Sequence, residues 1–155
     1  MLEQLEKYQH RGHFKFKRTD DLKDVCNAPD NRSGVYVVWT TFQDQRLIVY
    51  IGRSGKMVDG VVVHRKAGLG GMKDRLVNGH QFGKEARRRS WPRIMEHFGL
   101  TELDVYWYDT ENDDPVQVEH EILAEVKKEY GQLPPWNSMD YPDSSTKRNS
   151  RHSPG

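Results

Sequence analysis

The sequence predicts an α+β domain built on a small antiparallel sheet, and three observations carry that reading. Residues 34–42 and 46–52 are β-branched and aromatic runs split by Gln43-Asp44-Gln45, the pattern of a β-hairpin. Residues 115–130 open on a proline, keep an apolar stripe at helical spacing and stop at Gly131, the pattern of an amphipathic helix. Two shorter helical stretches and a third strand lie between them, so the order reads β-β-α-α-β-α.

Taken in order, residues 1–33 form an N-terminal lead-in, with a helical turn from Asp20-Asp21 to Cys26 ahead of Pro29. In the hairpin, pairing Phe42 with Arg46 around a three-residue loop makes opposed residue numbers sum to an even value. Tyr50 then stands opposite Val38, and Tyr36 and Tyr50 share one face. Residues 55–71 are glycine-rich and read as a loop or insertion, although Val61-Val62-Val63 has the composition of a short strand. Residues 72–78 have helical spacing between Gly71 and Gly79. A second helix is expected over 90–97, with Ser90 as N-cap, Pro92 in the first turn and Gly99 after its end. Residues 103–109 read as the third strand. After the 115–130 helix, Leu133-Pro134-Pro135-Trp136-Asn137 is expected to be extended, because proline cannot continue a helix. Residues 34–143 thus read as one domain, and the polar, basic 144–155 as a disordered tail.

Composition bounds the class. With 155 residues, 30% of them charged, and a mean hydropathy of −0.91, the chain is polar, yet four Trp, seven Tyr and five Phe supply core material. No stretch approaches the roughly 20 apolar residues that cross a bilayer, and the first residues lack the pattern of a signal peptide. No membrane partner is expected, and the location is expected to be intracellular, cytoplasmic or nucleoid-associated. A lone Cys26 fits a reducing compartment and excludes cysteine-rich metal folds.

The net charge of +1 conceals a segregation: residues 53–97 hold 11 Lys and Arg against 4 Asp and Glu, whereas residues 98–143 hold 2 against 12. The first segment suits a polyanion. The second would repel one unless it is folded away or holds a cation.

Within this frame stand Gly34-Val35-Tyr36 and Tyr50-Ile51-Gly52 on the two hairpin strands, Arg75 in the helix that follows, Glu119 in the long helix, and then Pro135-Trp136-Asn137. This ordered set, spanning residues 34–137, resembles the GIY-YIG nuclease superfamily. The resemblance implies a three-stranded antiparallel sheet flanked by helices, and a metal-dependent DNA endonuclease of restriction or structure-specific type. It implies Tyr36 as general base, Tyr50 positioning the attacking water or the phosphate, Arg75 on the phosphate, and Asn137 fixing the C-terminal segment. Glu119 would anchor one divalent cation, magnesium or manganese. His80 is similar to a histidine that some members carry after the arginine, although Gly79 intervenes. Arg53 and Lys56 follow the second motif where a basic residue meets substrate phosphate, and Arg87, Arg88 and Arg89 read as a ridge for the DNA backbone. A restriction-type member would need a homodimer to cut both strands.

Glu119 can also be argued from the helix alone. At 100° per residue, Val118, Ile122, Leu123, Val126 and Tyr130 form one stripe with Glu119 inside it, while Glu121 projects away. A carboxylate on the core side must pair with a cation, bind a metal or take up a proton. Two other readings compete with a nuclease: a nucleic-acid-binding module on the same fold that does not cut, and an interaction protein that uses its acidic segment for a basic partner.

Overall fold

A computed structural model of the protein describes residues 1–138. The sheet has four strands rather than the three expected from sequence, all antiparallel, in the order β1-β6-β2-β3. They are β1 (Arg11–Lys17), β2 (Gly34–Phe42), β3 (Gln45–Ser54) and β6 (Glu102–Asp109). The additional strand β1 comes from the segment read as a lead-in. Phe14 and Phe16 point inward while Lys15 and Lys17 face water, a period-2 alternation that pairs with β6 from Arg11↔Tyr108 to Lys17↔Glu102.

Helices cover both faces. Against one pack α1 (Leu22–Val25), α2 (Gly71–Asn78) and α3 (Arg87–Phe98), which with Trp136 enclose Tyr36, Val38, Val49, Met72, Leu76, Trp91, Ile94 and Trp107. Against the other pack α4 (Pro115–Tyr130) and a 3-10 turn, Glu3–Lys7, enclosing Leu5, Val35, Val37, Ile51, Val118, Ile122 and Val126. The predicted bounds of α4 hold. Asp114 caps its start by accepting from the Val116 amide, and Gly131 ends it in the left-handed conformation. Tyr130, counted in the apolar stripe, is exposed.

Three local readings need correction. The 90–97 helix starts earlier, at Arg87, so Ser90 is a buried interior residue and not its N-cap. The 55–71 segment contains a second, two-stranded sheet, β4 (Lys56–Val58) with β5 (Val61–Val63). Pro135–Ser138 form a single helical turn, α5, instead of extended chain; Pro135 stands at its first position, where a proline is tolerated. Residues 144–155 lie outside the described residues.

Candidate active site

The tyrosines reach one face by a route different from the one expected. The hairpin turn is two residues, Gln43 and Asp44, both at positive φ, so Phe42 pairs with Gln45 and the residue sums are odd as far as Trp39↔Ile48. A bulge between Val38 and Trp39 then inserts one residue of β3, and from Val38↔Tyr50 to Gly34↔Ser54 the sums are even. The bulge turns Val49 and Tyr50 together onto the Tyr36 face, and the two phenol rings stand 6.2 Å apart.

Tyr36 is fully buried, and its hydroxyl has no hydrogen-bond partner among the described residues. Its cross-strand neighbour explains the glycine of the second motif: a Cβ on Gly52 would stand 2.5 Å from a Tyr36 ring carbon. Burial pushes the Tyr36 phenol up to about 12, while the Arg87 guanidinium pulls the other way.

Arg87 is the residue whose place the sequence reading misjudged. It is not part of an exposed ridge but 0% exposed, its guanidinium 5.4 Å from the Tyr36 ring centre, 5.3 Å from Tyr50 and 5.8 Å from Trp91. Its Nη2 donates to the Tyr50 hydroxyl at 3.1 Å, its Nε to Gln81 Oε1 at 2.8 Å, and its Nη1 to the Arg75 carbonyl. No carboxylate among the described residues lies within ion-pair distance of it. A buried cation held only by neutral acceptors and aromatic faces is costly. Its position was nonetheless visible in the helix period, since Arg87, Trp91, Ile94 and Met95 share the buried side of α3 while Arg88 and Arg89 are exposed. Gly79 lets it in, because a Cβ there would lie 2.5 Å from Arg87 Nη1.

Glu119 reaches the site from α4, on the opposite face of the sheet, where β3 is the edge strand. It is half-buried, and its Oε1 lies 3.3 Å from Arg53 Nε. Burial raises its carboxyl above the usual range, opposed by the positive charges of Arg53, Arg75 and Arg87. Glu121, two residues on, is exposed and bonded to Gln117 on the same helix. Arg75 is half-buried and its guanidinium is not paired with Asp74. That carboxylate is taken by Arg65 at 2.6 Å, by the Leu69 amide and by Asn78.

Beside this cluster opens a cavity of about 350 Å³, walled by Arg53, Lys56, His64, Arg65 and Arg75, with Ser54, Gly55 and Val63. His64 lines it with its Nδ1 held 2.7 Å from the buried Ser33 hydroxyl. His80 is not brought to it: it is exposed and bridges Ala86 through the backbone.

Asn137 makes a two-point clamp. Its Oδ1 accepts from the Ile51 amide at 2.9 Å and its Nδ2 donates to the Ile51 carbonyl at 2.8 Å, satisfying the open edge of β3 within the second motif. Among the described residues no three His, Cys, Asp or Glu stand close enough to hold a metal together. No protein-family model, no curated protein and no solved structure matches the chain.

Proposed function

We propose that the chain is a metal-dependent DNA endonuclease of the GIY-YIG type, hydrolysing phosphodiester bonds at the cluster of Tyr36, Tyr50, Arg75, Arg87 and Glu119. The observation that carries this reading is the buried Tyr36 hydroxyl, which has no partner and sits beside an equally buried Arg87 that has no carboxylate. A buried phenol hydroxyl without a hydrogen bond, packed beside a buried guanidinium that is hydrogen-bonded to neutral acceptors but has no counter-ion, is a cost to the fold, and a site that must stabilise negative charge accounts for both.

In this reading Arg75 and Arg53 hold the phosphate from the cavity, where a planar guanidinium can meet two of its oxygens. Tyr36 takes a proton from the attacking water. Burial holds this phenol neutral and the nearby Arg87 charge opposes burial, so it is the Arg87 guanidinium, together with a bound cation, that would favour the phenolate, while Tyr50, fixed by its bond to Arg87, positions that water or the phosphate. A single half-buried carboxylate suits a hydrated hard cation such as magnesium, which is commonly held by one or two carboxylates, substrate phosphate and water. Glu119 would hold it, and the ion would neutralise charge on the phosphate and the leaving oxygen. A lone chain presents one such site, so cutting both strands of a duplex needs a homodimer or two sequential nicks.

The test is conversion of supercoiled plasmid by the purified chain in magnesium or manganese, with and without chelator. Glu119→Gln should lower cleavage by about 10³-fold, as loss of a central electrostatic group does, while DNA binding persists. Glu121→Gln should cut like the parent. One observation favours the second reading, a DNA-binding module that does not cut: the Arg53 ion pair already occupies one oxygen of Glu119. Salt-sensitive binding with no cleavage under any divalent cation would establish it in place of the enzyme.

A further inference from the structure

The hairpin β4–β5 stands between the second motif and Arg75, and apart from Lys56 and Val63 at the cavity wall it has no part in the chemistry above. Its strands pair Lys56 with Val63, Met57 with Val62 and Val58 with Val61, so Lys56, Val58, Val61 and Val63 share one face. That face is open to water, with Val58 at 43%, Val61 at 65% and Val63 at 43% exposure. The other side, Met57 and Val62, is half-buried, and β4 packs beside α4, so the hairpin is fixed to the body. Its turn, Asp59-Gly60, has positive φ at both residues, the tight two-residue form that holds the strands rigidly. Three exposed valines on one face form a contiguous apolar surface in an otherwise polar chain.

The base of that face identifies its occupant. Lys56 and Val63 also belong to the wall of the cavity that carries Arg53, His64, Arg65 and Arg75, so the valine surface continues directly from a basic pocket suited to phosphate. A second copy of the chain would bring like charges together there. A two-stranded ribbon, with strands about 4.8 Å apart, fits the roughly 12 Å major groove of B-form DNA, where valine can meet thymine methyl groups. The deep, narrow major groove of duplex RNA does not admit it. We infer that β4–β5 is a duplex-docking prong that lays its valine face into the major groove of B-form DNA next to the phosphate in the cavity. This rests on the nuclease reading for the nature of the substrate, but not on cleavage itself.

The experiment is therefore a binding measurement on the full chain carrying Glu119→Gln, using a fluorescent A·T-rich DNA duplex and an RNA duplex of matching sequence. Adding Val58→Ser, Val61→Ser and Val63→Ser should weaken DNA binding at least tenfold. RNA binding should be weaker from the start and unchanged by the substitutions. Val61→Ser alone, at the most exposed position, should show a smaller loss in the same direction with an unaltered melting temperature, which guards against a folding artefact. Equal DNA affinity in parent and variants, RNA bound as tightly as DNA, or dissociation of a dimer by the valine substitutions would each overturn the proposal. Plasmid cleavage by the unsubstituted chain is scored separately. Its absence would remove the enzyme but leave the prong, and equal binding would remove the prong but leave the enzyme.

Discussion

The two faces of the sheet are packed by different rules. Under α4, Val35, Val37, Ile51, Val118, Ile122 and Val126 form an almost wholly apolar layer. On the opposite face the core contains a whole guanidinium, two phenols, the Gln81 amide and the indole of Trp91 bonded to it. Both layers are largely buried, but among the described residues the unpartnered Tyr36 hydroxyl belongs to the second. The α4 layer is what a sheet needs in order to be stable. On the proposed reading, the Tyr36–Arg87 layer keeps polar groups in a core for a purpose other than stability.

That contrast can be broken most severely at Arg87. In Arg87→Met, Gln81 keeps its bond from Trp91 and the Arg75 carbonyl keeps its bond from Gly79, so few acceptors are orphaned and a costly buried charge is removed. Stability should change by no more than about 1 kcal/mol, while cleavage falls by about 10²-fold or more because the Tyr36 phenol loses the cation that lowers it. Urea unfolding and a cleavage rate on the same variant decide it.

The opposite pattern is expected across the sheet. Ile122→Ala removes a fully buried side chain from the apolar layer and should cost about 3 kcal/mol in urea unfolding, with cleavage by the folded protein within about threefold of the parent. Asn137→Ala, at the margin between the two layers, should cost about 2 kcal/mol for its two bonds to Ile51. Its effect on cleavage should be moderate, since it bears on the backbone next to Tyr50 and not on the reacting groups.

Much of this arrangement was legible from residue spacing. The bounds of α4, the half-buried place of Glu119 and the exposed place of Glu121 follow from a helical period that tertiary structure had no reason to override. The register around Tyr36 and Tyr50 was reached despite two unread features, whereas the expected pairing of Phe42 with Arg46 was not. A two-residue turn shifts the pairing by one residue and the bulge in β3 shifts it back, and neither leaves a mark that a period-2 pattern can display. Strand β1 was missed because Phe14 and Phe16 are too few alternating residues to stand out before their partner β6 is known. Arg87 was misread because three consecutive arginines suggest a solvated ridge, and only the stripe it shares with Trp91 and Met95 distinguishes it from Arg88 and Arg89.

The pH dependence follows from the same layer. Burial penalises the ionised phenol and raises it to about 12 against an unfolded value near 10, so stability is free of this penalty below pH 10 and falls as pH rises from 10 through 12. Tyr36→Phe has no such group. It also removes a buried hydroxyl that has no partner, so it should be at least as stable as the parent at neutral pH and less sensitive to alkali. The most direct measurement is thus a paired one on Tyr36→Phe: urea unfolding at pH 7 and the single-turnover rate of magnesium-dependent plasmid cleavage. Stability equal to or above that of the parent, with cleavage lowered at least about 10²-fold, is the predicted result; cleavage at the parent rate would contradict the assignment of the buried tyrosine as the base.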